Sequence, residues 1–154
     1  MSAQDLSAVG PLSHAIFRVA RKHKALAGRL LREAGLHPGQ ELLLTTLWTQ
    51  GPQRMVDLVA AIESDAPTMT RSVARLERAG LVSRSPSPTD GRVMIVEATN
   101  ASWVLRTKVE NAWRELEQRT VGSLTRAQQS QALKALAMLE ETLEAAVEAP
   151  ATRV

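Results

Sequence analysis

Residues 66–97 read APTMTRSVARLERAGLVSRSPSPTDGRVMIVE. The stretch constrains the fold because its hydrophobic period changes once, abruptly. Met69, Val73 and Leu76 recur at i, i+4 and i+7, the stripe of an amphipathic helix. Ser64 or Asp65 can cap its start, and Pro67 suits its first turn. Gly80 can take the left-handed conformation that ends it. Leu81 and Val82 then start a strand. Ser85 to Asp90 is a Ser/Pro loop that reaches a tight Asp-Gly, and Val93 to Glu97 forms a second strand. The helix runs straight into a hairpin.

Upstream, residues 54–64 (RMVDLVAAIES) read as a short helix burying Val56, Leu58, Val59 and Ile62. Before that, Pro38 opens a helix that packs Leu42, Leu43, Leu47 and Trp48 on one side and stops at Gly51-Pro52. Three helices followed by a hairpin make a winged helix-turn-helix, a mainly α fold with a small β-hairpin wing. It fits within residues 36–100. The flanks are long and amphipathic. Residues 11–34 carry Ile16, Val19, Ala20, Leu26, Leu30 and Leu31 at helical spacing, with a stop at Gly35. The opposite face is basic, with Arg18, Arg21, Lys22, Lys24, Arg29 and Arg32. Residues 101–121 carry Leu105, Val109, Ala112, Trp113 and Leu116. After a capping box at Thr125 and Gln128, a last helix carries Leu133, Leu136, Leu139, Leu143 and Val147. These stripes exceed what one small domain can cover, so a second copy is expected to bury them. The expected organisation is a helical dimerisation region at 11–35 and 101–148 around a DNA-binding domain at 36–100.

Composition narrows the function. The 154 residues are 44% apolar but only 3% aromatic, with no Tyr and Phe17 as the single Phe, so the core is aliphatic. There is no cysteine, which excludes disulfides, thiolate chemistry and thiol redox sensing. A formal charge of +3 permits a polyanionic partner. No apolar run reaches the ~18 residues of a membrane span, and the N-terminus does not read as a signal peptide. The expectation is a cytoplasmic protein that does not engage membranes. No phosphate-binding glycine loop or H-E-x-x-H is present. His14 and His23 lie nine apart on opposite faces of a helix and cannot share a metal. No catalytic residue, metal or cofactor is expected, and the chain is not read as an enzyme.

The helix 66–79 is the candidate recognition element. Opposite its apolar stripe lie Pro67, Thr70, Arg71, Ala74 and Arg78, with Thr68 and Arg75 on the flank. An α-helix fits the DNA major groove, where Arg can bond guanine and Thr can meet a phosphate or a thymine methyl. The bland alternative is a solvated face with Glu77 as local partner. With that helix in a major groove, Arg92 at the hairpin tip would enter the adjacent minor groove. Asp90 can brace Arg92, or Arg84, by a charge-assisted bond.

The run from Thr68 to Ser102 resembles the MarR family of bacterial transcriptional regulators. The matching residues are Thr68, Thr70 and Arg71, then Leu76, Glu77, Gly80, Leu81, Val82 and Arg84, then Asp90, Arg92 and Thr99. Ala98, Gly91 and Ser102 depart from the pattern, where Leu, Arg and Gly are usual. The resemblance implies a homodimeric repressor on a pseudo-palindromic operator of double-stranded DNA. The implied DNA-contacting set is Ser64, Pro67, Thr68, Thr70, Arg71, Arg75, Arg84, Asp90 and Arg92. It also implies release by a small aromatic or phenolic acid. In this sequence the corresponding region offers His14, Phe17, Arg18, Arg21, His37, Trp48 and Trp103. The rival reading is a winged helix used for protein contacts, whose groove face would exchange Arg and Thr for apolar residues.

Overall fold

The computed structural model describes residues 5–150. They divide into two compact units, one running to Leu116 and the other from Glu117 onward. The first opens with α1 (Leu6–Val9), a short helix capped by the Asp5 carboxylate and not expected from the sequence. α2 (Pro11–Arg32) follows, with Pro11 in its first turn. It ends at Gly35, whose φ of 74° lets the Leu36 N–H turn back to the Leu31 carbonyl. Only the C-terminal half of α2 is buried, through Ala27, Leu30 and Leu31. Ile16 and Val19, expected on its buried stripe, are exposed.

α3 (Gln40–Gln50) starts two residues later than Pro38 suggests. Gly39, at φ 96°, is the pivot. The N–H groups before the helix are taken up by its own first turn. Gln40 Oε1 accepts from the His37 N–H at 2.9 Å, and Glu41 Oε2 from the Gly39 N–H at 2.7 Å. Leu43, Leu44, Leu47 and Trp48 are buried, while Leu42 faces out.

β1 (Gln53–Arg54) replaces what was expected to be the start of a helix, so α4 spans Met55–Ala61. In α4, Leu58 is fully buried and Val56 is exposed, against expectation. α5 (Ala66–Arg78) buries Met69, Val73 and Leu76 as its spacing predicts. Gly80, at φ 76°, reverses the chain, with the Leu81 N–H bonded to the Leu76 carbonyl. β2 (Val82–Pro86) and β3 (Met94–Ala98) pair antiparallel from Val82↔Ala98 to Pro86↔Met94. β1 pairs with the other edge of β3 through Gln53↔Val96 and Arg54↔Ile95, so the wing is a three-stranded sheet in the order β1-β3-β2.

The helix expected over 101–121 is broken. α6 (Asn100–Trp103) and α7 (Arg106–Val121) are separated at Val104 and Leu105. The Ser102 and Leu105 N–H groups each bond three residues back, to Thr99 and Ser102, which tightens the turn. Along α7, Val109, Ala112 and Leu116 are buried, and Trp113, expected with them, is exposed. The core joins α2 and α7 to α3, α4, α5 and the sheet.

In the second unit, α8 (Arg126–Glu148) begins with the expected capping box. The Gln128 N–H donates to Thr125 Oγ1 at 3.2 Å, and the Thr125 N–H to Gln128 Oε1 at 2.9 Å. No residue of α8 is buried. Among the described residues, no helix is long and apolar enough to cross a membrane.

Candidate nucleic-acid interface

The N-terminus of α5 is built around Asp65. Its carboxylate accepts from the Thr68 N–H and the Thr68 hydroxyl, both at 2.8 Å. Those two bonds, with the attraction of Arg71, hold the Asp65 carboxyl below the usual carboxylate range. Asp65, not Ser64, is therefore the cap. Ser64 closes the turn between α4 and α5 instead, its N–H bonded to the Val59 carbonyl. The residue before it, Glu63, takes the left-handed conformation that this tight turn needs, at φ 51°.

Beyond the cap, Pro67, Thr68, Thr70, Arg71, Arg75 and Arg78 are all exposed, and Ala74 is half-buried. Thr70 donates its hydroxyl proton to the Ala66 carbonyl at 2.9 Å. A hydroxyl has one proton to give, so Thr70 as it stands offers a methyl and a lone pair, not a donor for phosphate. Arg71 Nη2 rests on Thr68 Oγ1 at 3.4 Å. Among the described residues, Arg75 and Arg78 enter no ion pair. The local pairing with Glu77 that the bland alternative supposed does not occur. Glu77 binds Arg84 instead through two bonds of 3.2 and 2.9 Å, which lower the Glu77 carboxyl and raise Arg84. Arg84 thus ties β2 to α5 and is not braced by Asp90.

At the wing tip, Asp90 Oδ1 accepts from the Arg92 N–H at 3.1 Å and from Nε at 3.2 Å. The side-chain and then the backbone bond hold the Asp90 carboxyl low. The Arg92 side chain is 92% exposed even so. A second bidentate pair, Arg54 to Asp57 at 2.8 and 3.0 Å, joins β1 to the first turn of α4. Sequence reading missed it because Arg54 was assigned to the helix. Its i, i+3 spacing from Asp57 was the available signal.

The seven residues proposed for a ligand do not share one cavity. His14 and Phe17, with Leu6 and Val9, line an apolar cleft of about 450 Å³. Arg21 and His37, with Lys24, Arg32 and Pro38, line an open groove of about 710 Å³. The Arg21 guanidinium lies 5.5 Å from the Phe17 ring centre, at the seam of the two. Arg18 is exposed and lines neither. Trp48 is a buried core residue whose ring centre lies 6.1 Å from that of Trp103.

The family model described as MarR family matches residues 36–94, from the turn between α2 and α3 to the first residue of β3. Those residues form a MarR-family region. The chain is 29% identical over 127 residues to the HTH-type transcriptional repressor IacR of Pseudomonas putida, covering 82% of this chain and 76% of the relative. A point mutant of MarR from E. coli in complex with operator DNA shares the fold at TM-score 0.81 and 22% identity, covering 89% of this chain and 99% of that one. So does BpsR of Bordetella bronchiseptica, from work on the regulation of its DNA binding by 6-hydroxynicotinic acid. Its TM-score is 0.79 at 24% identity, covering 90% of this chain and 98% of that one. The fold class expected for a MarR regulator, mainly helical with a small antiparallel sheet, is the one observed.

Proposed function

We propose that this transcriptional regulator is a homodimeric repressor that binds a pseudo-palindromic operator and is released by a small aromatic acid. The observation that carries the reading is the face of α5 opposite Met69, Val73 and Leu76. It keeps Arg71, Arg75 and Arg78 exposed, while Glu77 is occupied by Arg84 and the Asp65 carboxylate by the Thr68 cap bonds. A face used for protein contacts would be apolar, and this one is cationic.

In the proposed complex α5 lies in the major groove. Arg71 and Arg75 meet base edges, Pro67 and Thr68 approach the backbone, and the Thr70 methyl suits a thymine. Arg92 enters the neighbouring minor groove, and its bonds to Asp90 reduce the rotamer freedom lost on docking. Ser64 and Arg84 act indirectly, by setting the turn before α5 and the strand after it. Residues 11–35 and 101–148 pair the two copies. For the effector, the Bordetella neighbour supports an aromatic carboxylate. The groove beside Arg21 and His37 offers cations on an apolar floor that includes Leu36 and Pro38.

The test is a mobility-shift titration on DNA from upstream of the protein's own gene, at two salt concentrations. Each titration is run with and without an aromatic carboxylate. Saturable, salt-sensitive binding to that DNA but not to scrambled DNA, weakened by the acid, is expected. Equal binding to both DNAs would overturn operator recognition. Binding indifferent to a panel of such acids would overturn the effector.

A further inference from the structure

We propose that Ser102 is a positioning residue. Its buried hydroxyl joins the root of the C-terminal arm to the end of the recognition helix, and so fixes the half-site spacing at which two copies read an operator. The inference rests on the dimeric operator reading above and adds to it the device that sets the geometry.

Ser102 is fully buried, at 0% exposure. Its hydroxyl donates to the Thr99 carbonyl at 2.7 Å and accepts from the Trp48 indole N–H at 3.0 Å. One proton and one lone pair are thereby both used, and among the described residues no other group is bonded to that indole N–H. Thr99 carries the chain onward. Its own hydroxyl donates to the Gly80 carbonyl at 2.6 Å, and its N–H to the Leu81 carbonyl at 3.0 Å. Gly80 and Leu81 are the turn that ends α5. A continuous polar path therefore runs from Trp48 on α3, through Ser102 on α6 and Thr99 at the end of β3, to the last turn of the recognition helix.

The arm side of the same junction is also fixed. The Trp48 ring lies against Trp103, the residue after Ser102. Arg106, the first residue of α7, sits 5.7 Å from the Trp103 ring centre and pairs with Glu110 at 3.1 Å. When two copies are held by their arms, the angle at this junction decides how far apart the recognition helices stand. A hydroxyl with both bonds satisfied in a dry site admits few alternative angles. Without it the Trp48 N–H is a buried donor with no partner, and the junction can relax by rotating.

Ser102→Ala, Trp48→Phe, their double variant and the core control Val109→Ala would be compared with wild type in the full-length chain. One readout is amide exchange at Ala79, Gly80 and Leu81. The other is binding to DNA duplexes whose two half-sites stand at the native spacing or are shifted by a base pair. Ser102→Ala is expected to speed exchange at those three amides about tenfold, as expected for a lost buried bond. It should also blunt the preference for one spacing while leaving affinity for a single half-site unchanged. Trp48→Phe keeps the ring and loses only the donor, so it should act alike and serves if Ser102→Ala folds poorly. The double variant should add little, because both changes cut one path. Val109→Ala should lower the melting temperature with the spacing preference intact. Unchanged exchange at Ala79–Leu81 and an unblunted spacing preference in Ser102→Ala would overturn the proposal and leave Ser102 a packing residue. A wild type that binds no duplex at any spacing would instead overturn the operator reading. The exchange result then decides the role of Ser102 alone.

Discussion

Asp90 holds the Arg92 backbone and guanidinium together at a tip that touches no core, so the pair adds little stability and its value lies in order. Arg92→Ala should lower operator affinity and reduce the salt slope by about one per half-site, since one fewer phosphate counterion is displaced there. Asp90→Ala keeps the cation but frees it, so affinity should fall less and the slope should stay. Both should melt close to wild type. Titrations at two salt concentrations check this, and identical slopes for all three proteins would reduce the wing to a turn. Thr70 offers a sharper discrimination. Its hydroxyl proton is spent on the Ala66 carbonyl, which leaves the methyl as its free chemistry. Thr70→Val should therefore preserve operator affinity, whereas a phosphate-donating hydroxyl would make that change costly. The choice between Ser64 and Asp65 as cap could not be read from sequence, because both are good caps and adjacent. The structure favours the carboxylate, which reaches two donors of Thr68 at once.

The helix proposed for recognition, α5, was legible because independent local signals coincide on it: a cap at Ser64 or Asp65, a proline in the first turn, a stripe through Met69, Val73 and Leu76, and a stop at Gly80. Where only one signal was present, reading failed. Leu42, Leu43 and Leu44 are consecutive, so periodicity could not say which one faces out. β1 is two residues long and exists by pairing with Val96 and Ile95, far along the chain. The break between α6 and α7 interrupts no apolar period and lies beside the buried Ser102. The residues proposed to face DNA could be nominated by type and face, but the sequence left Asp90 open between Arg92 and Arg84, because the contact of Arg84 with Glu77 joins a helix to a strand. On α5 the expectation is concrete. Arg71→Ala should weaken operator binding by ~1–3 kcal/mol per half-site and relax preference at one base position, as seen by titration against single-base operator variants. On α3 the relevant group is Glu41, which is 4% exposed, its carboxyl raised first by burial although the Gly39 N–H pulls it the other way. A carboxyl raised in the folded state contributes stability below its unfolded value, near ~4.3, and loses it as pH rises through the folded value. Glu41→Gln retains an acceptor for Gly39 and cannot ionise. Denaturant unfolding across this range should show wild type losing stability relative to the variant as pH rises from about 4, then a constant difference above the raised value. Parallel curves would mean that Glu41 titrates as if it were in water.

Among the described residues, many large apolar side chains stand exposed. Leu12, Phe17 and Val19 on α2 are exposed, as are Leu133, Leu136, Met138, Leu143 and Val147 on α8. Faces of that extent on a single chain mark an association surface. Charge supports a second copy as the partner in the proposed dimer. α2 has no acidic residue and carries Arg18, Arg21, Lys22, Lys24, Arg29 and Arg32, whereas the later part of α8 gathers Glu140, Glu141, Glu144 and Glu148. Each copy therefore offers both signs, and two copies can match them reciprocally, as a two-fold interface requires. An interface of this kind should bury more than ~2,000 Å² and be obligate. The melting temperature of the wild type should then rise with protein concentration, because only the assembled state binds its partner. Leu136→Asp and Leu143→Asp each place a charge on the apolar face and should yield monomers or unfolded chains by sedimentation. With the copies apart, a duplex carrying two half-sites should bind no better than a duplex carrying one, although α5 is unaltered. A wild-type chain that sediments as a folded monomer at micromolar concentration, with a concentration-independent melting temperature, would defeat this reading. The exposed stripes of α2 and α8 would then need a different partner.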